Sequence, residues 1–106
     1  MSEAIAELTE ENFSGKVSQG VSLVDFWAPW CAPCRMQTPI LERVSQRVGD
    51  LVTVAKVNVD EAGGVAQRYG VQSIPTLVLL KDGDELRRFV GVQSEDVLVS
   101  AIEGAL

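Results

Sequence analysis

The chain has 106 residues, two cysteines and no histidine, and its 15 acidic and 9 basic residues leave a net charge of −6. That length fits one domain, residues 1–106, and with 46% apolar residues the chain can fill a core without cross-links. The acidic balance sets nucleic acid aside, since the densest basic pair, Arg87-Arg88, closely follows Asp84 and Glu85, while the missing histidine excludes Ser-His-Asp and Cys-His catalysis in their usual form and an intrachain Cys2His2 zinc site.

In chain order, Met1–Glu7 has neither the basic start nor the apolar run of a secretory signal. No stretch approaches the ~20 apolar residues of a membrane span, so a cytoplasmic protein off the membrane is expected. Glu3–Glu7 is a short strand candidate. Thr9 reads as an N-cap, with Glu10 and Glu11 in the first turn and Leu8 and Phe13 as a hydrophobic staple. Gly20 is the stop. Leu23–Ala28 is apolar on both faces, as in a central parallel strand. A helix follows, with Met36, Ile40, Val44 and Val48 along one face and Gly49 at its end; Pro39 is expected to kink it. Leu51–Val59 is β-branched and reads as a buried strand. Asp60–Tyr69 is weakly helical, discounted by Gly63 and Gly64 and closed by Gly70. Thr76–Leu80 and Glu85–Val90 flank Lys81-Asp82-Gly83-Asp84 as a hairpin. Ser94 caps a last helix whose apolar residues are Val97, Leu98, Ala101 and Ile102. The order β-α-β-α-β-α-β-β-α predicts an α/β fold: a mixed sheet of about five strands sandwiched by about four helices.

Chemistry concentrates at Trp30-Cys31-Ala32-Pro33-Cys34, directly after a strand and opening a helix. A thiol at a helix N-terminus faces unpaired N–H groups and the positive end of the macrodipole, which favour thiolate, the nucleophile that attacks disulfides. Cys34 lies one turn on and can close onto Cys31, while Pro33 is harmless in a first turn. So short a ring stabilises the fold by only about 2 kcal/mol, which suits a switch better than a staple. The alternatives are half of an intermolecular zinc or iron–sulfur site and a pair of inert buried thiols.

These residues place the chain in company. It resembles the thioredoxin family over essentially its whole length, through Val24–Met36, Pro39, Val54–Asp60, Tyr69-Gly70-Val71, Ser73–Leu77 and Gly91. The resemblance implies a thioredoxin fold and a protein-disulfide oxidoreductase. In that reading Cys31 attacks a client disulfide and Cys34 resolves the mixed disulfide. A flavoprotein thioredoxin reductase recharges the pair with NADPH, so no cofactor is bound to this chain. Family members most often carry Gly-Pro between the cysteines; here Ala32-Pro33 stands there, and alanine is the stiffer residue.

Other residues support that chemistry. Asp25 is an acid within an apolar strand just ahead of the cysteines, where desolvation raises a carboxyl pKa and makes a proton acceptor; the alternative is an acid that reaches solvent or caps an N–H. Lys56, on the neighbouring strand, pairs with Asp25 or else snorkels to the surface. From sequence alone Pro75 is a strand-start proline. The resemblance implies that it is cis and faces the cysteines, exposing the backbone of Ile74 to an extended substrate. Gly91 allows close approach or simply turns the chain, and Trp30 offers flat apolar surface at the rim or packs in part. A monomeric cytoplasmic dithiol reductant is the expectation. A secreted oxidant, which would suit a histidine between the cysteines, and a redox-independent binding module are the competing readings.

Overall fold

The computed structural model describes residues 5–106. The order is β1 (Ala6–Leu8), α1 (Phe13–Val17), β2 (Val21–Trp27), α2 (Ala32–Val48), β3 (Val52–Asn58), α3 (Gly63–Arg68), β4 (Thr76–Lys81), β5 (Asp84–Val90) and α4 (Glu95–Ala105), with a 3-10 turn at Gly49–Leu51. Of the strand expected at Glu3–Glu7, Glu3 and Ala4 lie outside the described residues.

The five strands form one sheet in the order β1-β3-β2-β4-β5. β3 runs parallel to both β1 and β2, whereas β4 is antiparallel to β2 and β5 to β4. β2 is therefore central, and Val21–Phe26 are buried along its length. Side chains alternate across a strand, and the sheet divides its residues accordingly. Val21, Leu23, Val54, Leu77 and Leu79 pack with Leu41 and Val44 of α2 and with Leu98 and Ile102 of α4. Val24, Phe26, Val57 and Val78 pack on the opposite face with Phe13 and Val17 of α1 and with Val65 of α3. Each fully buried leucine or phenylalanine contributes about 1.5–3 kcal/mol. The result is the α/β sandwich expected, five strands between two helix pairs.

Several local expectations are corrected. The regular first helix starts only at Phe13, so no acid lies in its first turn, and Asn12 before it makes no side-chain cap bond. The expected Thr9 cap forms in the turn ahead: Thr9 Oγ1 accepts from Asn12 N at 3.2 Å, Asn12 Oδ1 accepts from Thr9 N at 2.8 Å, and Thr9 O accepts from Phe13 N. Glu10 leaves that turn altogether and accepts from Gly64 N at 2.5 Å, at the start of α3. In α2 the buried stripe is Cys34, Gln37, Leu41, Val44 and Ser45, while Met36 is 64% exposed. Gln37 takes the inner position because its amide is satisfied there, accepting from Gln93 N at 2.7 Å and donating to Gln93 O at 3.0 Å. Leu51 and Val97 are exposed rather than core. α3 begins at Gly63 rather than Asp60, and the hairpin loop is just Asp82-Gly83, both at positive φ. That is the pairing a two-residue turn of matching twist demands.

Candidate active site

β2 ends at Trp27 and α2 begins at Ala32, so the loop between them is delivered by the central strand to one end of the sheet. Cys31 is the N-cap of α2: its backbone is extended and its sulfur accepts from Cys34 N at 3.2 Å. A serine or aspartate does this at an ordinary helix start; here a sulfur does, and negative charge on that sulfur strengthens the bond. Cys31 and Cys34 form a disulfide with Cα atoms 5.2 Å apart. Cys31 keeps 6% of its surface exposed and Cys34 none. Ala32 and Pro33, between them, are exposed. Pro39 sits inside the assigned helix, which runs on to Val48.

Opposite the pair, the Ile74–Pro75 peptide is cis, and Ile74 O lies 3.8 Å from Cys31 Sγ. In the disulfide that is a contact; once reduced, a protonated thiol has a hydrogen to donate there. Pro75 O accepts from Gly91 N at 2.8 Å. Gly91 takes φ +92, a conformation that disfavours other residues, although a Cβ there would meet nothing within 4 Å. Trp30 is 67% exposed and donates from Nε1 to Asp60 at 2.8 Å, so its ring is tethered beside Cys31 rather than packed in the core.

Asp25 lies on β2, fully buried, and neither carboxylate oxygen has a hydrogen-bond partner among the described residues. Burial pushes its pKa up to about 7; the Lys56 charge pulls it down and Glu7 adds to the rise. Lys56 is in register with Asp25 on one side and with Glu7 on the other. The direct Asp25–Lys56 pair considered from sequence does not form: Lys56 Nζ meets Thr38 Oγ1 at 3.2 Å and stands 3.8 Å over the Trp27 ring. Trp27 in turn donates from Nε1 to Glu7 at 3.1 Å.

The structure thus brings Cys31, Cys34, Ile74, Pro75 and Gly91 together, while Asp25 and Lys56 lie in register on neighbouring strands and Lys56 reaches α2 through Thr38. Sequence reasoning passed over Thr38, Glu7, Asp60, Gln37 and Gln93. Only the register of parallel strands and the pitch of α2 reveal them, because their partners lie 18 to 56 residues away in the chain. Among the described residues, no group of three or more His, Cys, Asp or Glu side chains is placed to hold a metal, and no helix is long and apolar enough to cross a membrane. A dithiol so arranged can exchange with an incoming disulfide at one sulfur and close on itself with the other.

Comparison with known proteins gives a consistent result. The family model described as Thioredoxin matches residues 4–104. A thioredoxin of Bacillus subtilis is 47% identical over 95 residues, 90% of this chain and 91% of that one. A Chlamydia pneumoniae thioredoxin is 46% identical over 95 residues, 90% of this chain and 92% of its own. One from Staphylococcus saprophyticus is 41% identical over 100 residues, 94% and 96% of the two chains.

Proposed function

The chain belongs to the thioredoxin family, and from that premise we propose how its dithiol works: Cys31 attacks, Cys34 resolves and Asp25 handles the proton. It is a thiol–disulfide oxidoreductase whose redox-active pair is Cys31–Cys34, fitted to reduce disulfides in other proteins. The observation that carries the assignment of roles is the asymmetry of the pair. Cys31 is the helix cap, held by Cys34 N–H and keeping a sliver of exposed surface; Cys34 beneath it keeps none.

In the reducing half-cycle the Cys31 thiolate attacks one sulfur of a client disulfide. A mixed disulfide forms and the first client sulfur leaves as thiolate. Cys34, its proton passed to Asp25, attacks Cys31 Sγ. The internal disulfide forms, the second client thiolate departs and takes up that proton, and two electrons have moved from the protein to the client. Asp25 suits this step because a carboxylate titrating near neutrality exchanges a proton with a thiol at the lowest cost. Lys56 tempers Asp25 through its charge. Trp30, Ala32, Pro33, Ile74, Pro75 and Gly91 line the surface where an extended client strand lies, pairing with the Ile74 backbone by strand addition.

A flavoprotein thioredoxin reductase restores the dithiol with electrons from NADPH, and the chain binds no cofactor of its own. It works in the cytoplasm as a monomer, residues 1–106 forming a single domain. Glutathione equilibration tests the direction of flow: a potential well below the cytosolic glutathione poise supports a reductant, and a strongly oxidising one reverses the assignment. Client capture tests the roles. Cys34→Ser is expected to accumulate mixed disulfides on non-reducing gels, whereas Cys31→Ser traps nothing. Equal trapping by both variants would refute the order of attack.

A further inference from the structure

Lys56 occupies the strand position beside Asp25, yet its ammonium is engaged elsewhere. A lysine side chain is a mobile point charge, so its resting place is set by whichever partners it finds. Here those partners are the Thr38 hydroxyl at 3.2 Å and the face of Trp27 at 3.8 Å. Thr38 Oγ1 also lies 3.4 Å from Cys34 O, one turn earlier in α2. A hydroxyl has one proton and two lone pairs, so it donates to that carbonyl and accepts from the ammonium together. Glu7 fixes the ring by accepting from Trp27 Nε1 at its edge, and its charge also attracts the Lys56 ammonium.

We propose that Thr38 is a positioning residue for the resolving step: it holds the Lys56 ammonium against Trp27, leaving the Asp25 carboxylate unpaired and able to take the Cys34 proton. This rests on the reading of Asp25 as proton acceptor. A carboxylate paired with an ammonium is a weak base; one left unpaired in apolar surroundings is a stronger one. The charged groups acting on Asp25 are Lys56 from β3 and Glu7 from β1. β4 offers the uncharged Leu77 in register. α2 carries Cys34 and Thr38, and the buried side chains of α4 are Leu98, Val99, Ile102 and Ala105. No other charge from these elements stands in for Lys56.

The test is the Asp25 carboxyl titration followed by carbon NMR in the oxidised protein, where neither cysteine titrates and coupling to a thiol is absent. Thr38→Val keeps the shape and removes the hydroxyl. Released from its tether, the ammonium closes on Asp25. An approach of about 2 Å at an effective dielectric of about 20 lowers the midpoint by about one unit. Thr38→Ser restores the wild-type midpoint. In the reduced protein, Thr38→Val slows release of a preformed mixed disulfide several-fold near neutral pH and leaves the rate of Cys31 attack unchanged. Lys56→Met, which removes the charge, moves the midpoint upward and shows that the titration senses the lysine. A Thr38→Val midpoint equal to or above wild type, with Lys56→Met shifting as stated, overturns the proposal. Should Thr38→Val fail to fold, Thr38→Ala carries the same expectations. If the midpoint falls in Thr38→Val while Asp25→Asn leaves the resolving rate unchanged, the placement of Lys56 stands and the role of Asp25 falls.

Discussion

Asp25 shows what a single side chain adds to the chemistry and what it costs. An unpartnered buried carboxylate is expensive to ionise, and its titration near pH 7 rather than at the ordinary value of 3.8 expresses that expense. The consequence for stability has a definite sign. Between the two pKa values the folded state holds a proton that the unfolded state has released, so stability falls as pH rises through that window and levels off above about 7. Asp25→Asn removes the dependence. It is expected to stabilise the protein at pH 8, by up to about 4 kcal/mol, and to change little at pH 4, as read by denaturant unfolding at both. The same substitution slows resolution of mixed disulfides near neutral pH; rates matching wild type from about pH 6 to pH 9 would take Asp25 out of the mechanism. The acid in an apolar run was visible in the sequence. What its neighbour Lys56 does was not, because a lysine's contacts depend on side chains from α2 and β2 that meet only in three dimensions.

At the scale of elements, the reliable signals were those that local chemistry alone decides. Ser94 caps α4 by accepting from Val97 N at 3.2 Å, and Gly49 ends α2, both as their residue types dictate. Periodicity misled where a polar residue had a buried partner. Met36 and Val97 look like core at helical spacing, yet both are exposed, while Gln37 is wholly buried. Gln37 clamps both backbone groups of Gln93 to α2 and so anchors the segment just after Gly91. Gln37→Ala is expected to destabilise by about 2–4 kcal/mol in denaturant melts, by leaving buried polar groups unpaired and opening a cavity. The hairpin offers a smaller and cleaner change. Gly83 adopts φ +87, and Gly83→Ala is expected to cost about 1–2 kcal/mol in the same melts with the redox potential unchanged. Glu10 was misplaced for a related reason: an acid next to a cap residue suits a first turn, but this one reaches across to the start of α3, a partner 54 residues on.

Across the whole molecule, the sequence of crossovers and hairpin carried the architecture, because parallel strands need covering helices and a two-residue turn forces antiparallel neighbours. The end of the sheet that bears the cysteines follows from β2 lying between β3 and β4, since the central strand leads straight into α2. The net charge of −6 acts at this scale too. Association with a positively charged client is steered by the field of the entire protein, so the second-order rate of client reduction is expected to fall several-fold between about 0.01 M and about 0.15 M salt. Stopped-flow reduction at the two ionic strengths measures it. An acidic client of equal disulfide reactivity should show the opposite trend.

The unequal depth of the two sulfurs reaches beyond turnover. Peroxides arriving from water meet Cys31 first, so oxidation of the dithiol begins at a sulfur whose sulfenic acid Cys34 can attack, forming the disulfide and releasing water before a second oxidation lands. Sinking Cys34 beneath its partner thereby doubles as self-repair, a safeguard that two equally exposed thiols would lack.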